Sequence, residues 1–427
     1  MDQDTYNSRD TPRSAELTPT GGHEPAIREN GLRRRIVVPS CVVLDSSAGF
    51  ARQSIRPQEH RGSDFDEKFD STTLFYDAFL TDTGAQALIL GPPFANLAPL
   101  LETMVISALP SGARCAYRIR NMDRHSQVWV DLPGPLDQLK IESHLGNFCI
   151  TPAENLCHIF AGKRVLFTLS KNNRLEWIQD WIRYHRDVHG ANALLFYDND
   201  STAYSSDELM SALSGISGLD RICLMTWPFK YGPQGIGDLL FWDSDFCQYG
   251  AWEHARWMFL QRALSALNVD IDELVVSSNG VGVFEATERS LTGMTRFPGV
   301  WVYGFSDRGT LVSPDTASRH RDFDHYLRPT LETVLGVIPV RRQWLNTKWA
   351  AVPKRSPKNA QWTAHRIYSW RGSYSWLSLD RTFCYRHFRE INNSWKINRA
   401  QRVPFDPRRF IHDVAMTRDF LRTDWES

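Results

Sequence analysis

The sequence predicts an α/β protein: a Rossmann-type mixed sheet flanked by helices, preceded by a mainly β N-terminal domain. Three observations carry this reading. Between Arg164 and Val276, apolar runs of strand length alternate with helical stretches, the pattern of parallel strands joined by crossover helices. Residues 36 to 162 hold instead short apolar runs separated by turn residues. Each strand of the second half also ends in a polar cluster, where ligands sit in parallel sheets.

Residues 1 to 35 are rich in Ser, Thr, Pro, Gly and charge without hydrophobic period, and read as a disordered leader in which Arg33-Arg34-Arg35 is solvated. The β region follows, with Ile36-Val37-Val38, Ala87-Leu88-Ile89-Leu90 and Val128-Trp129-Val130 as strands and Gly91-Pro92-Pro93 and Pro133-Gly134-Pro135 as turns. Arg164-Val165-Leu166-Phe167-Thr168-Leu169 is a buried-type strand running into Ser170-Lys171-Asn172-Asn173. Asn173 is then the expected N-cap of a helix whose stripe is Leu175, Ile178 and Ile182, with Gly190 at its end. Ala193 to Tyr197 is the second strand, and Ser205 with Glu208 forms a capping box for the next helix. Ile222 to Met225 leads to Trp227-Pro228, and a long helix from about Cys247 to Leu264 precedes the strand around Asp270. The resulting division is a leader at 1–35, a β accessory domain at 36–162, an α/β domain at 163–400 and a C-terminal tail at 401–427.

The 427 residues include 42% hydrophobic and 12% aromatic side chains, ample for two packed cores. Lysine plus arginine equals aspartate plus glutamate at 49 each, so no global field favours nucleic acid. Seven scattered cysteines without C-x-x-C spacing argue against a disulfide framework and a zinc site. There is no signal-peptide pattern, nor a run near the roughly 18 apolar residues of a membrane span. These features lead to the expectation of a cytoplasmic protein, compatible with peripheral work at a membrane surface.

Asp270-Ile271-Asp272-Glu273 lies between apolar residues, Leu267 and Val269 before it and Leu274-Val275-Val276 after it. Read as a strand, it points Asp270 and Asp272 the same way. Two convergent carboxylates are costly unless a divalent cation bridges them, for example to a diphosphate. Other Asp-x-Asp triplets compete. Asp64-Phe65-Asp66 and Asp243-Ser244-Asp245 read as loop and helix-start acids, and Asp198-Asn199-Asp200 as either a βα turn or a uridine and ribose contact. Asp322-Phe323-Asp324, within His320 to His325, is a candidate source of a general base. His185 and His189 have metal-ligand spacing but no third ligand, which favours surface or capping roles. Trp301, Tyr303, Trp344, Trp349 and Trp362 suit either sugar stacking or the core.

Taken together, these residues resemble the glycosyltransferase 2-like group that includes the glycosyltransferase 92 type. That family's pattern is a strand, Lys-Asn-Glu, a Glu-Trp-Ile-x-Tyr-His helix, Tyr-Asp-Asn-x-Ser, Trp-Pro, a Gln-containing helix and Asp-x-Asp-Glu-Phe. Here stand Lys171-Asn172-Asn173, Glu176-Trp177-Ile178, Trp181-Ile182-Arg183-Tyr184-His185, Tyr197-Asp198-Asn199-Asp200-Ser201, Trp227-Pro228, Gln248 and Asp270-Ile271-Asp272-Glu273-Leu274. Order and spacing agree over about 110 residues, with echoes at Lys348, His365 and His387-Phe388-Arg389. Asn173 replaces the usual Glu, Leu274 the usual Phe, and Ser265 and Asn268 make the strand before Asp270 less apolar.

The resemblance implies a GT-A-like fold and a metal-dependent glycosyltransferase moving a sugar from a nucleoside diphosphate donor, in the first instance a UDP-sugar, to a hydroxyl acceptor such as a glycan. In that frame Asp270 and Asp272 hold Mn2+ or Mg2+. Lys171, Asn172, Asp198, Trp227 and Gln248 line the nucleotide site. Glu273 orients donor or acceptor hydroxyls, and Asp322 and Asp324 are the candidate bases. A catalytically silent carbohydrate- or nucleotide-binding relative and a glycoside hydrolase stand as alternatives.

Overall fold

The computed structural model describes residues 33–427 apart from 46, 48, 234–240, 242, 307–309, 312–317, 335–337, 343–344, 369–376 and 392–403. The expected leader up to residue 32, and Trp344, lie outside the described residues. One eleven-stranded mixed sheet dominates. Its strands, in chain order, are β1 (Arg34–Val37), β2 (Arg164–Ser170), β3 (Ala193–Asp198), β4 (Arg221–Thr226), β5 (Ser265–Asn268), β6 (Glu273–Ser277), β7 (Met294–Val302), β8 (His325–Leu327), β9 (Leu345–Ala351), β10 (Phe383–Phe388) and β11 (Phe410–His412). The main path runs β1-β4-β3-β2-β5-β9-β7-β8-β11, while β10 joins β7 to β6. The first five strands of this path are mutually parallel, and β9 turns antiparallel against β5. An α/β fold with a large mixed sheet and a β-rich N-terminal region is thus what the chain forms.

The central parallel strands have apolar middles because both faces are covered: Val165, Leu166 and Phe167 of β2 and all six residues of β3 are buried. Helix α1 (Leu175–His189) connects β2 to β3 and stops where Gly190 adopts φ 78°, a left-handed conformation glycine takes without steric cost. Its N-cap is Arg174, not the expected Asn173, because the Asn173 amide donates to Ser170 Oγ (2.8 Å). Helix α2 (Ser206–Ser214) has the predicted Ser205–Glu208 capping box. Helix α3 (Phe246–His254) passes into a π-turn over Ala255–Phe259 and ends short of the expected Leu264, and helix α4 (Val283–Arg289) follows β6. From β2 the chain steps to β3 and β4 on one side and to β5 on the other. A crevice at this reversal, beyond Ser170 and Asn268, is where such sheets bind ligands.

The N-terminal region forms two four-stranded antiparallel sheets. One contains Asp77–Leu80, Gln86–Gly91, Tyr117–Met122 and His125–Asp131; the other contains Val105–Leu109, Ala113–Arg114, Gln138–Ser143 and Gly146–Ile150. Two sequence assignments change. The first strand, expected in the β domain from Ile36, takes in Arg34 and Arg35 of the expected solvated leader and pairs with β4 as an edge of the central sheet, which half-buries both arginines. The presumed tail from residue 404 onward supplies β11 and helix α5 (Val414–Arg422), held by an ion pair between Arg386 of β10 and Asp413. The two halves share one core, in which Phe79, Leu88, Leu90 and Trp129 meet Val165, Phe167 and Trp252. Across that seam His254 stands between Tyr197 (2.8 Å) and Asp77 (2.9 Å), all three buried. No helix among the described residues is long and apolar enough to cross a membrane.

Of the surface or capping roles expected for His185 and His189, the surface role fails: both are buried and seal the open edge of β6. The Val275 carbonyl accepts from Tyr184 Oη (2.8 Å) and His189 Nε2 (2.6 Å), and the Val275 N–H donates to His185 Nε2 (3.4 Å). Trp181 O accepts from His185 Nδ1, and His189 Nδ1 accepts from the Val283 N–H. Each ring therefore has one donor and one acceptor partner, which fixes a neutral tautomer. Burial lowers both basicities, that of His189 to about 4. The unfolded chain protonates His189 near 6.5 while the native state resists until about 4, so its contribution is complete above the upper value and lost as pH falls through the window. Denaturant titrations should show a loss on the order of 3 kcal/mol from this group between pH 7 and pH 4, with a shallower pH slope in His189→Gln.

Candidate metal centre

Asp270 and Asp272 do not lie on a strand. β5 ends at Asn268 and β6 starts at Glu273, so Asp270-Ile271-Asp272 forms a turn, closed by Glu273 N–H to Asp270 O (3.0 Å) and Asp270 N–H to Glu273 Oε2 (2.9 Å). The alternation that put both carboxylates on one face fails because β5 and β6 belong to different pairings: β5 lies between β2 and β9, and β6 pairs with β10. Buried Ile271 pins the turn, its carbonyl facing His320 Nε2 (2.9 Å).

The two aspartates consequently meet different partners. Asp270 Oδ2 lies 2.7 Å from Lys348 Nζ, which also lies 3.0 Å from Glu273 Oε2. His387 follows, with Nδ1 3.4 Å from Glu273 Oε1 and Nε2 2.9 Å from Asp272 Oδ2. Negative and basic groups thus alternate from Asp270 through Lys348, Glu273 and His387 to Asp272. β9 delivers Lys348 and β10 delivers His387, the latter opposite Glu273 and packed 4.3 Å from the Trp301 ring. Burial pushes the Glu273 carboxyl up to about 7, against the opposing pull of Lys348. Burial also works against the Lys348 charge, but Asp270 and Glu273 outweigh it and hold the ammonium above its usual range.

Asp272, Glu273 and His387 each offer a ligand atom, all within 4.8 Å of one another. Their carboxylate and imidazole donors could hold a divalent cation. Adjacent ligands with bonds of about 2.1 Å at a right angle stand about 3 Å apart, which is the Asp272–His387 separation of 2.9 Å. Glu273 on the far ring nitrogen stands where a carboxylate would orient His387 toward an ion. Asp270, expected as a ligand, is outside this triad, and its Oδ2 is engaged by Lys348. Its Oδ1, with Asp198 Oδ1 and Asn268 Oδ1, is buried without a hydrogen-bond partner among the described residues. Such acceptors at strand ends are available to ligand donors.

The remaining predicted residues divide. Asp198 lies at the end of β3, where burial raises its carboxyl despite hydrogen bonds from Ser201. Lys171 is half-exposed, with Nζ 4.0 Å from Asp200 Oδ2. Asn172, with φ 55°, joins two strand-end loops: its Oδ1 accepts from the N–H groups of Thr202 (2.7 Å) and Ala203 (3.0 Å). Gln248 Oε1 accepts from Tyr231 Oη (3.2 Å). Trp227 is no ligand contact, being fully buried among aromatic rings with its N–H on Cys247 O (2.9 Å). Asp322 caps the turn at Arg319 N–H (2.7 Å), and Asp324 lies 2.5 Å from His325 Nδ1. Neither belongs to the metal-type triad. Trp349 and Trp362 are core residues.

No family model matches the chain, and no curated protein matches it. The residues without an assigned role in the sequence reading are Lys348 and His387, although both echo the family pattern. They lie 78 and 115 positions from their aspartate partners, so local spacing does not reveal the pairing. Removing one partner of a buried ion pair strands the others. Lys348→Met should therefore lower stability by about 3 to 5 kcal/mol in denaturant unfolding at pH 7.5, and Lys348→Arg should retain part of it.

Proposed function

We propose that the chain is a metal-dependent glycosyltransferase with a GT-A-like fold, taking a nucleoside diphosphate sugar, in the first instance a UDP-sugar, as donor and a glycan or other hydroxyl compound as acceptor. The observation that carries this is the Asp272–Glu273–His387 triad, beside Asp270 and at the same end of the parallel strands as Asp198, both of which keep an unsatisfied carboxylate oxygen. The cytoplasmic location expected from the sequence stays part of the proposal.

Asp272 Oδ2 and His387 Nε2 would hold the divalent ion, which when bound supplies a Lewis acid for charge growing on the departing diphosphate. Glu273 aims the His387 ring. Lys348 fixes Asp270 with one oxygen engaged, leaving Oδ1 to accept from a donor hydroxyl. Asp198 Oδ1 would accept from the nucleotide, and half-exposed Lys171 would meet negative charge. Deprotonation of the acceptor is assigned to no residue, because Asp322 and Asp324 are committed to a turn and to a histidine. That same observation favours a second reading, a nucleotide-sugar-binding protein without turnover. A glycoside hydrolase fits poorly, since one of its two carboxylates would be Glu273, which is buried against Lys348.

Isothermal titration of UDP with and without manganese checks the proposal. Binding should require the metal and be lost in Asp272→Ala and His387→Ala, and Glu273→Gln should weaken manganese affinity about 10- to 100-fold. Metal-independent UDP binding of equal strength would sink it. Product detection by mass spectrometry with a panel of UDP-sugars separates the transferase from the silent binder.

A further inference from the structure

A second cluster of nitrogen donors surrounds the turn Thr363–Arg366 and takes no part in the metal centre. Arg296 on β7 is opposite Trp349 on β9, and directly opposed residues of antiparallel strands project from the same face. On that face the Trp349 indole donates to Thr363 O (2.9 Å) and Thr347 Oγ1 donates to His365 O (2.9 Å), which fixes the turn beside Arg296. The turn is closed by Thr363 N–H to Arg366 O (3.0 Å), and the exposed Arg366 guanidinium lies over the Tyr368 ring at 5.2 Å. Arg296 Nε and His365 Nδ1 are buried and lack hydrogen-bond partners among the described residues. Neither arginine has a carboxylate partner there, whereas the neighbouring Lys348 has two.

Two guanidinium groups without a counter-ion repel each other, and burial together with Arg366 lowers the basicity of Arg296. The arrangement is unfavourable in isolation and becomes favourable around an anion, for which arginine provides charge-assisted, often paired hydrogen bonds. We infer that Arg296 and Arg366 form a binding site for a phosphate-class anion beside the turn that carries His365. His365 is neutral, since burial and Lys348 lower its basicity to about 4, and its ring bonds the Thr347 backbone, so the charge of the site comes from the two arginines. The inference goes beyond the metal-dependent reading and stands without it.

The probe is inorganic pyrophosphate, titrated calorimetrically into the intact chain in EDTA. One saturable site is expected, weakening as salt rises. Arg366→Gln, at an exposed position that leaves the fold intact, and Arg296→Gln should each lower affinity about ten-fold or more, with Arg296→Lys intermediate and Asp272→Ala unchanged. Absence of saturable binding, or equal affinity in Arg366→Gln and wild type, overturns the site. Competition by UDP with manganese would assign the anion to the donor's diphosphate, and simultaneous binding would assign it to a separate phosphorylated molecule; either result supports the site. Failure of UDP to bind with manganese while pyrophosphate still binds would reject the transferase reading alone.

Discussion

Lys348 Nζ is the charge on which the site is built. β5 and β6 are not hydrogen-bonded to each other, yet the turn between them must place Asp270, Asp272 and Glu273 reproducibly. The buried ammonium does this by engaging Asp270 and Glu273 together. Desolvating a lysine costs several kcal/mol, offset only because two carboxylates accept its hydrogen bonds. Through Glu273 the constraint passes to His387 and then to Asp272, so metal-type ligands at the outer end depend on a fixed cation at the inner end.

The strand that carries Glu273 needs a second restraint. β6 is hydrogen-bonded on one side, to β10, and an unsatisfied strand edge inside a protein is costly. Tyr184, His185 and His189 satisfy its other side from α1, at the expense of two imidazoles held neutral. Further support comes from β10, which pairs with β6 and, through Arg386, is tied to α5. The N-terminal sheets contribute at the opposite seam, where Asp77 orients His254 against Tyr197 and couples the β region to the central strands.

The parallel half of the sheet was readable because its signals are local. Continuous apolar runs such as Val165–Phe167, the Ser205–Glu208 capping box and Gly190 at the end of α1 each act within a few residues. The Asp-x-Asp segment misled for a physical reason: apolar neighbours on both sides look like one strand, but Ile271 is buried as the anchor of a turn. Asn172 and Trp227 also matched the family pattern, and their side chains serve loop stitching and core packing. A motif marks a place in the fold more reliably than it marks which side chain faces a ligand.

Periodicity and turn chemistry in the sequence determined the alternation of β2, α1, β3, α2 and β4, and hence the strand ends where polar loops gather. Only the tertiary structure decided which acids share a site, because that depends on pairings between β9 or β10 and residues far away in the chain. A buried charge selects its partner by distance in space, and no short window of sequence records that distance.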